Sequence, residues 1–270
     1  MPETTAAPLV LVERQGSIAH IIMNRPASRN SADLPMAQAL RDAVTEVCYD
    51  PAVHVVVLRS SSAHFMAGGD VRRFGVLLEG ADRGQGELEA IITAVNQITL
   101  GLTRSPCMVI GLLSGSVAGV GCSLAMACDI VIAADDTRFV MAYNGLGATP
   151  DGGATWLLPR LVGLQRALAI ALLNQSLDAS QAHAAGLVTQ VVPLSELDAC
   201  GDDMARRLAA GPVQAQARTK ALLRGALDSD LETALGQEKA AFLAQATTPD
   251  FTEGVQAFVQ RRVPQFGDRP

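Results

Sequence analysis

Three short stretches, HVVVLRS at 54–60, MVIGLL at 108–113 and DIVIAA at 129–134, carry uninterrupted apolar runs. A strand with one wet face alternates apolar and polar residues, whereas a strand buried on both faces does not, and burial on both faces is the condition of parallel strands covered by helices. The segments between them have the helical period. At 33–49 the apolar residues Leu34, Ala37, Leu40, Val44 and Val47 recur three or four apart, and Pro51 ends the run. Short helices follow at 71–78 and 120–128, and a long amphipathic one at about 87–103. LVLVER and SIAHIIM, joined by Gln15-Gly16-Ser17, read as an N-terminal hairpin. Strands and helices thus alternate through the first two thirds of the chain, which predicts an α/β layered fold.

Beyond Gly153 the pattern is helical apart from one short strand, GLVTQVV. Helical segments are expected near 155–162, 163–174, 179–185, 195–210, 212–228, 231–245 and 250–262. This divides the chain into a core over 1–194, holding the active site, and a helical region over 195–270. The later helices carry Leu222, Leu223, Leu227, Leu231, Leu235, Phe242, Phe251 and Phe258, more apolar surface than one small domain hides, so self-association is expected.

Composition excludes several function classes. The net charge is −6 and the basic residues are scattered, which leaves no electrostatic footprint for nucleic acid. Five cysteines form no CxxC and no Cys/His ligand spacing, so no metal site is expected and the thiols read as buried hydrophobes of a reducing compartment. MPETTAAP lacks a cationic segment followed by an apolar one, and no apolar run is long enough to span a bilayer. A cytoplasmic protein without membrane partners is the expectation.

Two glycine loops, HFMAGGD at 64–70 and SGSVAGVG at 114–121, each follow a predicted buried strand and precede a helix. Backbone N–H groups are free there and the helix dipole favours negative charge, so two such loops facing one point would make an oxyanion hole. Glycines also serve simply to permit tight strand-to-helix turns. Phosphate binding has little support, because GVGCSL lacks the third glycine of GxGxxG. Asp151 is the second candidate. Pro-Asp-Gly-Gly is a turn signature, but between Phe139 and Leu158 this acid is the sole ionisable group besides Tyr143, which suits a desolvated general base. His20, His54, His64 and His183 stand at no metal or triad spacing and read as structural, as does Asp129; Asp70 reads as a helix cap.

The motifs MNRPASRNSAD, FMAGGD, SGSVAGVGCSLAMACDIVIAADDTRF, GLGATPDGGATWLLPRLVG, ALLNQSLDASQAHAAGLVTQVV and EGVQAFVQRR occur in the order of one family. Over essentially its whole length the chain resembles the crotonase (enoyl-CoA hydratase/isomerase) superfamily. The resemblance implies a spiral of ββα units, a C-terminal region that builds homotrimers or dimers of trimers, acyl-CoA thioester substrates and a bound enolate. It implies no cofactor beyond the CoA carried by the substrate. Matched by motif, the oxyanion donors are the backbone N–H groups of Gly69 and Val120, the second position being glycine in many members. The two glutamates of the family's hydratases fall on Ser123 and Tyr143, neither of which is a carboxylate. Asp151 falls where several double-bond isomerases carry their base, which implies conversion of a 3-enoyl-CoA to a 2-enoyl-CoA. Hydration or thioester hydrolysis, and CoA binding without catalysis, are the alternatives. A related aryl-CoA dehalogenase also needs a histidine where this chain has Asn96. CoA contacts are implied at Ser28, Arg29, Ala67 and Gly69, and from a neighbouring subunit at Phe258 and Arg261. The segment 71–86 is a candidate lid.

Overall fold

The computed structural model describes residues 7–267, so the reading of the first six residues as no leader lies outside the described residues. The chain opens with the hairpin, β1 (Val10–Gln15) antiparallel to β2 (Ile18–Met23). Asp33 accepts from the Met36 N–H at 3.0 Å and caps α1 (Leu34–Cys48), after which β3 (Val55–Ser60) leads into the first glycine loop. Asp70 caps α2 (Val71–Leu78), accepting from the Arg73 N–H at 3.1 Å. Next come α3 (Gln85–Arg104), β4 (Met108–Leu113), β5 (Ser116–Ala118), α4 (Val120–Ala127), β6 (Ile130–Ala134) and β7 (Arg138–Val140). The chain continues through α5 (Ala154–Val162), α6 (Leu164–Leu172), β8 (Leu177–Asp178), α7 (Ala179–Ala185) and β9 (Gln190–Val192). It ends in four helices, α8 (Leu197–Ala209), α9 (Val213–Ala226), α10 (Leu231–Gln245) and α11 (Pro249–Gln260).

Six strands form one sheet in the order β1-β2-β3-β4-β6-β9, parallel from β2 onward. A smaller sheet, β5-β7-β8, lies beside it, and Met66 adds a rung by pairing with Val117. Each pass of the chain therefore lays one strand in the large sheet, a short one in the small sheet, and then a helix: β4, β5 and α4, then β6, β7 and α5. This is the expected spiral of ββα units. Two sequence readings are corrected. The small sheet was not anticipated, because strands of two or three residues are too short to show a period. GLVTQVV shrinks to β9, since Gly186, at φ 88°, closes α7 and the Leu187 N–H still bonds the Ala182 carbonyl.

Both faces of the large sheet are covered, which explains the uninterrupted apolar runs. On one face Ile21, Met23, Val56, Leu58, Val109 and Val131 pack in a core with Met36, Leu40, Ile98 and Leu102 of α1 and α3. On the other, Val55, Val57, Ile110, Leu112 and Ile132 pack with Leu197 and Ala205 of α8.

The buried Lys220 on α9 reaches the Leu102 and Cys107 carbonyls at 2.9 Å each and Asp129 Oδ2 at 2.7 Å. Arg224 adds a bond to Asp129 Oδ1 at 2.9 Å, and the Val109 N–H donates to Asp129 Oδ2. Asp129 thus anchors α9 to the start of β6. Beyond it, Phe242 and Phe251 meet edge to face at 5.8 Å, joining α10 and α11. The outward side of these helices leaves Leu223, Leu227, Leu231, Leu235 and Phe258 exposed. Among the described residues no helix is long and apolar enough to cross a membrane.

Candidate active site

The two glycine loops touch. A Cβ on Gly68, whose φ is +94°, would stand 3.1 Å from the Ala118 carbonyl oxygen and 3.6 Å from Gly119 Cα. Of the surrounding amides, those of Gly68 and Gly121 have no hydrogen-bond partner among the described residues, and four others are committed. The Ala67 N–H donates to the Arg29 carbonyl, Asp70 to Ala32, Ala118 to Met66, and Gly119 to Val140, all between 2.9 and 3.0 Å. The N–H groups of Gly69 and Val120 have no hydrogen-bond partner among the described residues. Val120 is the first residue of α4, where an amide lacks an intrahelical acceptor. The backbone conformation hostile to side chains falls on Gly119 (φ 49°, ψ −121°) and not on Val120, so valine there carries no backbone penalty. Phe74 of α2 lies over the first turn, its ring 2.7 Å from where a Gly69 Cβ would be.

Asp151 sits on a turn completed by Gly152 (φ 59°) and Gly153 (φ 84°). The turn is clamped from two helices. Thr99 Oγ1 on α3 donates to the Gly152 carbonyl at 2.9 Å, and the buried Ser123 on α4 donates through Oγ to the Asp151 carbonyl at 2.9 Å. A Cβ on Gly152 would lie 2.9 Å from Val95 Cγ1 and 3.0 Å from Ser123 Cβ. The Tyr143 phenol donates to Asp151 Oδ1 at 2.7 Å, while Oδ2 accepts from no other residue among the described ones. Burial raises the Asp151 carboxyl above the ordinary carboxylate range, partly opposed by the phenol. Burial and the adjacent Asp151 charge push the Tyr143 phenol far up. The Tyr143 ring also approaches the second glycine loop, with Cζ 3.9 Å from a Cβ position on Gly119. Phenol, acid and free amides are therefore contiguous. Such a site can hold a developing oxyanion on two N–H groups and move a proton with one carboxylate.

Ser28 closes a short 3-10 turn, and Arg29, at φ 52°, offers its carbonyl to Ala67 while its exposed guanidinium makes no ion pair among the described residues. Phe258 and Arg261 lie exposed at the end of α11, and within one chain neither bonds to the loops around Ser28 and Ala67. Asn96 is exposed on α3. The His64 ring accepts from the Ser116 N–H at 3.1 Å and His183 pairs with the Val188 carbonyl at 2.9 Å, so both serve the fold. Burial lowers the pKa of His20, and His54 Nδ1 is buried without a partner among the described residues. The sequence reading registered Ser123 and Tyr143 as missing acids and did not foresee them as partners of Asp151. It also passed over Asn174, whose Oδ1 accepts from the Ala142 N–H at 2.7 Å and holds the left-handed residue before Tyr143. One signal was available, a lone tyrosine in the same uncharged, glycine-rich stretch as the lone acid.

The enoyl-CoA hydratase/isomerase family matches residues 13–269. The 1,2-epoxyphenylacetyl-CoA isomerase of Escherichia coli is 34% identical over 257 residues, covering 95% of this chain and 97% of that protein. The 2,3-dehydroadipyl-CoA hydratase of Escherichia coli is 30% identical over 261 residues, covering 96% and 99%. The crystal structure of an enoyl-CoA hydratase from a Polaromonas species superimposes with a TM-score of 0.89 at 28% identity, covering 96% of this chain and 99% of that one. With its spiral of ββα units, this chain is a crotonase-fold member of the enoyl-CoA hydratase/isomerase family of enzymes.

Proposed function

We propose that this protein is an acyl-CoA isomerase that converts a 3-enoyl-CoA to a 2-enoyl-CoA, with Asp151 as the general acid/base and the N–H groups of Gly69 and Val120 as oxyanion donors. The observation that carries the reading is the Asp151 carboxylate, partly buried, facing no cation among the described residues and keeping one oxygen that accepts from no other described residue, beside the free amides of Gly69 and Val120. In the proposed reaction Oδ2 takes a proton from the α-carbon, the electron pair spreads over the dienolate held by the two N–H groups, and the same proton returns to the γ-carbon. No water, electron or second acid is consumed, and no cofactor is needed beyond the CoA of the substrate. Hydration by two carboxylates has no counterpart here, because the matching side chains, Ser123 and Tyr143, are both spent on Asp151. The similarity to an isomerase of Escherichia coli supports the same choice.

The similarity to a hydratase favours a second reading, in which Asp151 activates water for hydration or thioester hydrolysis. In either reading the CoA moiety is taken by Ser28, Arg29, Ala67 and Gly69, with Phe258 and Arg261 of a neighbouring subunit. The exposed apolar residues of α9–α11 support a homotrimer or a dimer of trimers. Incubation with a 3-enoyl-CoA and with crotonyl-CoA separates the readings. Conjugated product from the first alone, lost in Asp151→Ala, is expected. Hydration of crotonyl-CoA sensitive to the same change would move the assignment to hydratase, and inactivity on both substrates would leave a CoA-binding protein without this chemistry.

A further inference from the structure

Among the described residues Tyr143 makes the one side-chain hydrogen bond to the Asp151 carboxylate. Its position is over-determined. The preceding Ala142 is held left-handed (φ 63°) by Asn174, and the Tyr143 carbonyl accepts the N–H groups of Leu146 and Ala148 at 2.9 and 3.0 Å. Such conformations persist where the surroundings enforce them, and they cluster at functional sites. The ring spans the gap between the second glycine turn and the acid.

We infer that Tyr143 is the positioning residue of this site: by binding Asp151 Oδ1 it fixes the carboxylate plane and leaves Oδ2 as the single oxygen available to a proton. The inference rests on the proposed acid/base role of Asp151 for its consequence in catalysis, but its geometry stands without that role. A carboxylate with both oxygens free exchanges them by rotation about Cβ–Cγ. A carboxylate with one oxygen pinned presents the same atom to both carbons of a 1,3-proton shift. The phenol also counters the burial that raises the pKa of the acid.

Among the described residues no ionic group competes for this influence. Of the elements packed on the Asp151 turn, α3 presents Val95 and Thr99, α4 presents Ser123, and Tyr143 stands just before a 3-10 turn at Asn144–Leu146. On α5, which follows, Arg160 is turned to the Trp156 ring at 3.8 Å and to Asp228 at 2.9 Å. Among the described residues no Lys, Arg or His is within ion-pair distance of the Asp151 carboxylate.

The test is the titration of the Asp151 carboxyl in protein labelled with 13C at the aspartate carboxyl carbon, its resonance identified by loss in Asp151→Asn. Tyr143→Phe is expected to move the midpoint up by about one pH unit, the worth of one hydrogen bond to a charged group. The acid limb of kcat/KM for a 3-enoyl-CoA should move up with it, with kcat falling about tenfold and KM changing less than threefold. Replacing Tyr143 by 3-fluorotyrosine, a stronger donor of the same shape, should move the midpoint down, and it decides the matter if the Phe variant does not fold. Coincident midpoints, or a shift of the wrong sign in either variant, would overturn the inference. Shifted midpoints in a protein that does not turn over 3-enoyl-CoA would instead sink the isomerase reading and leave Tyr143 as the group that positions Asp151.

Discussion

Asp129 and Asp151 are the same residue type, both only partly exposed, and their surroundings are opposite. Asp129 is met by the Lys220 ammonium, the Arg224 guanidinium and the Val109 N–H, which account for both of its oxygens. Asp151 is met by one neutral phenol, and its other oxygen accepts from no further residue among the described ones. A buried charge with its counter-charges supplied is structural, since the pairing holds the ionised form whatever substrate does. A carboxylate denied counter-charge is costly to keep ionised, has a raised pKa, and is poised to take up a proton. The chemistry therefore lies where charge compensation is incomplete.

The largest expected effect is kinetic. Asp151→Ala should lower kcat for 3-enoyl-CoA isomerisation by about 10²–10⁴-fold, the usual contribution of a general base, with the fold retained by circular dichroism. The converse change comes next. Asp129→Ala leaves Lys220 buried without its partner and should cost about 3–5 kcal/mol in denaturant titration, with kcat per folded molecule unchanged. A catalytic loss in this variant that outruns its unfolding would break the comparison. Smaller again is Ser123→Ala, which removes the bond to the Asp151 carbonyl and should destabilise by about 1 kcal/mol and lower kcat/KM severalfold.

The smallest effect is a gain in stability. The folded Asp151 carboxyl titrates above its unfolded value, so its ionisation disfavours the folded state once the pH exceeds the folded pKa, and this penalty vanishes below the unfolded pKa. Asp151→Asn should thus melt slightly higher than the parent protein at neutral pH and no higher in strong acid. Calorimetry at the two pH values checks the sign, and a lower melting temperature at neutral pH would remove the distinction from Asp129.

Much of this was legible in the sequence. The runs VVVL, MVIGLL and IVIAA marked parallel strands because burial on both faces removes alternation, and Asp70 marked a helix start because a short acid caps free amides. The two glycine loops and Asp151 stood out because a glycine-rich turn and an isolated acid are local properties, written in a few neighbouring residues. The small sheet was not legible, since strands of two or three residues form only where neighbouring turns of the spiral bring Val117 beside Phe139 and Met66. Nor was the division of labour between the two aspartates. Lys220 lies 91 residues from Asp129 in the chain, and Ser123 lies 28 residues before Asp151. Sequence fixed which acids exist; tertiary packing decided which would be neutralised and which left to react, because the pKa and partners of a carboxylate depend on atoms within a few ångströms that the chain supplies from remote positions.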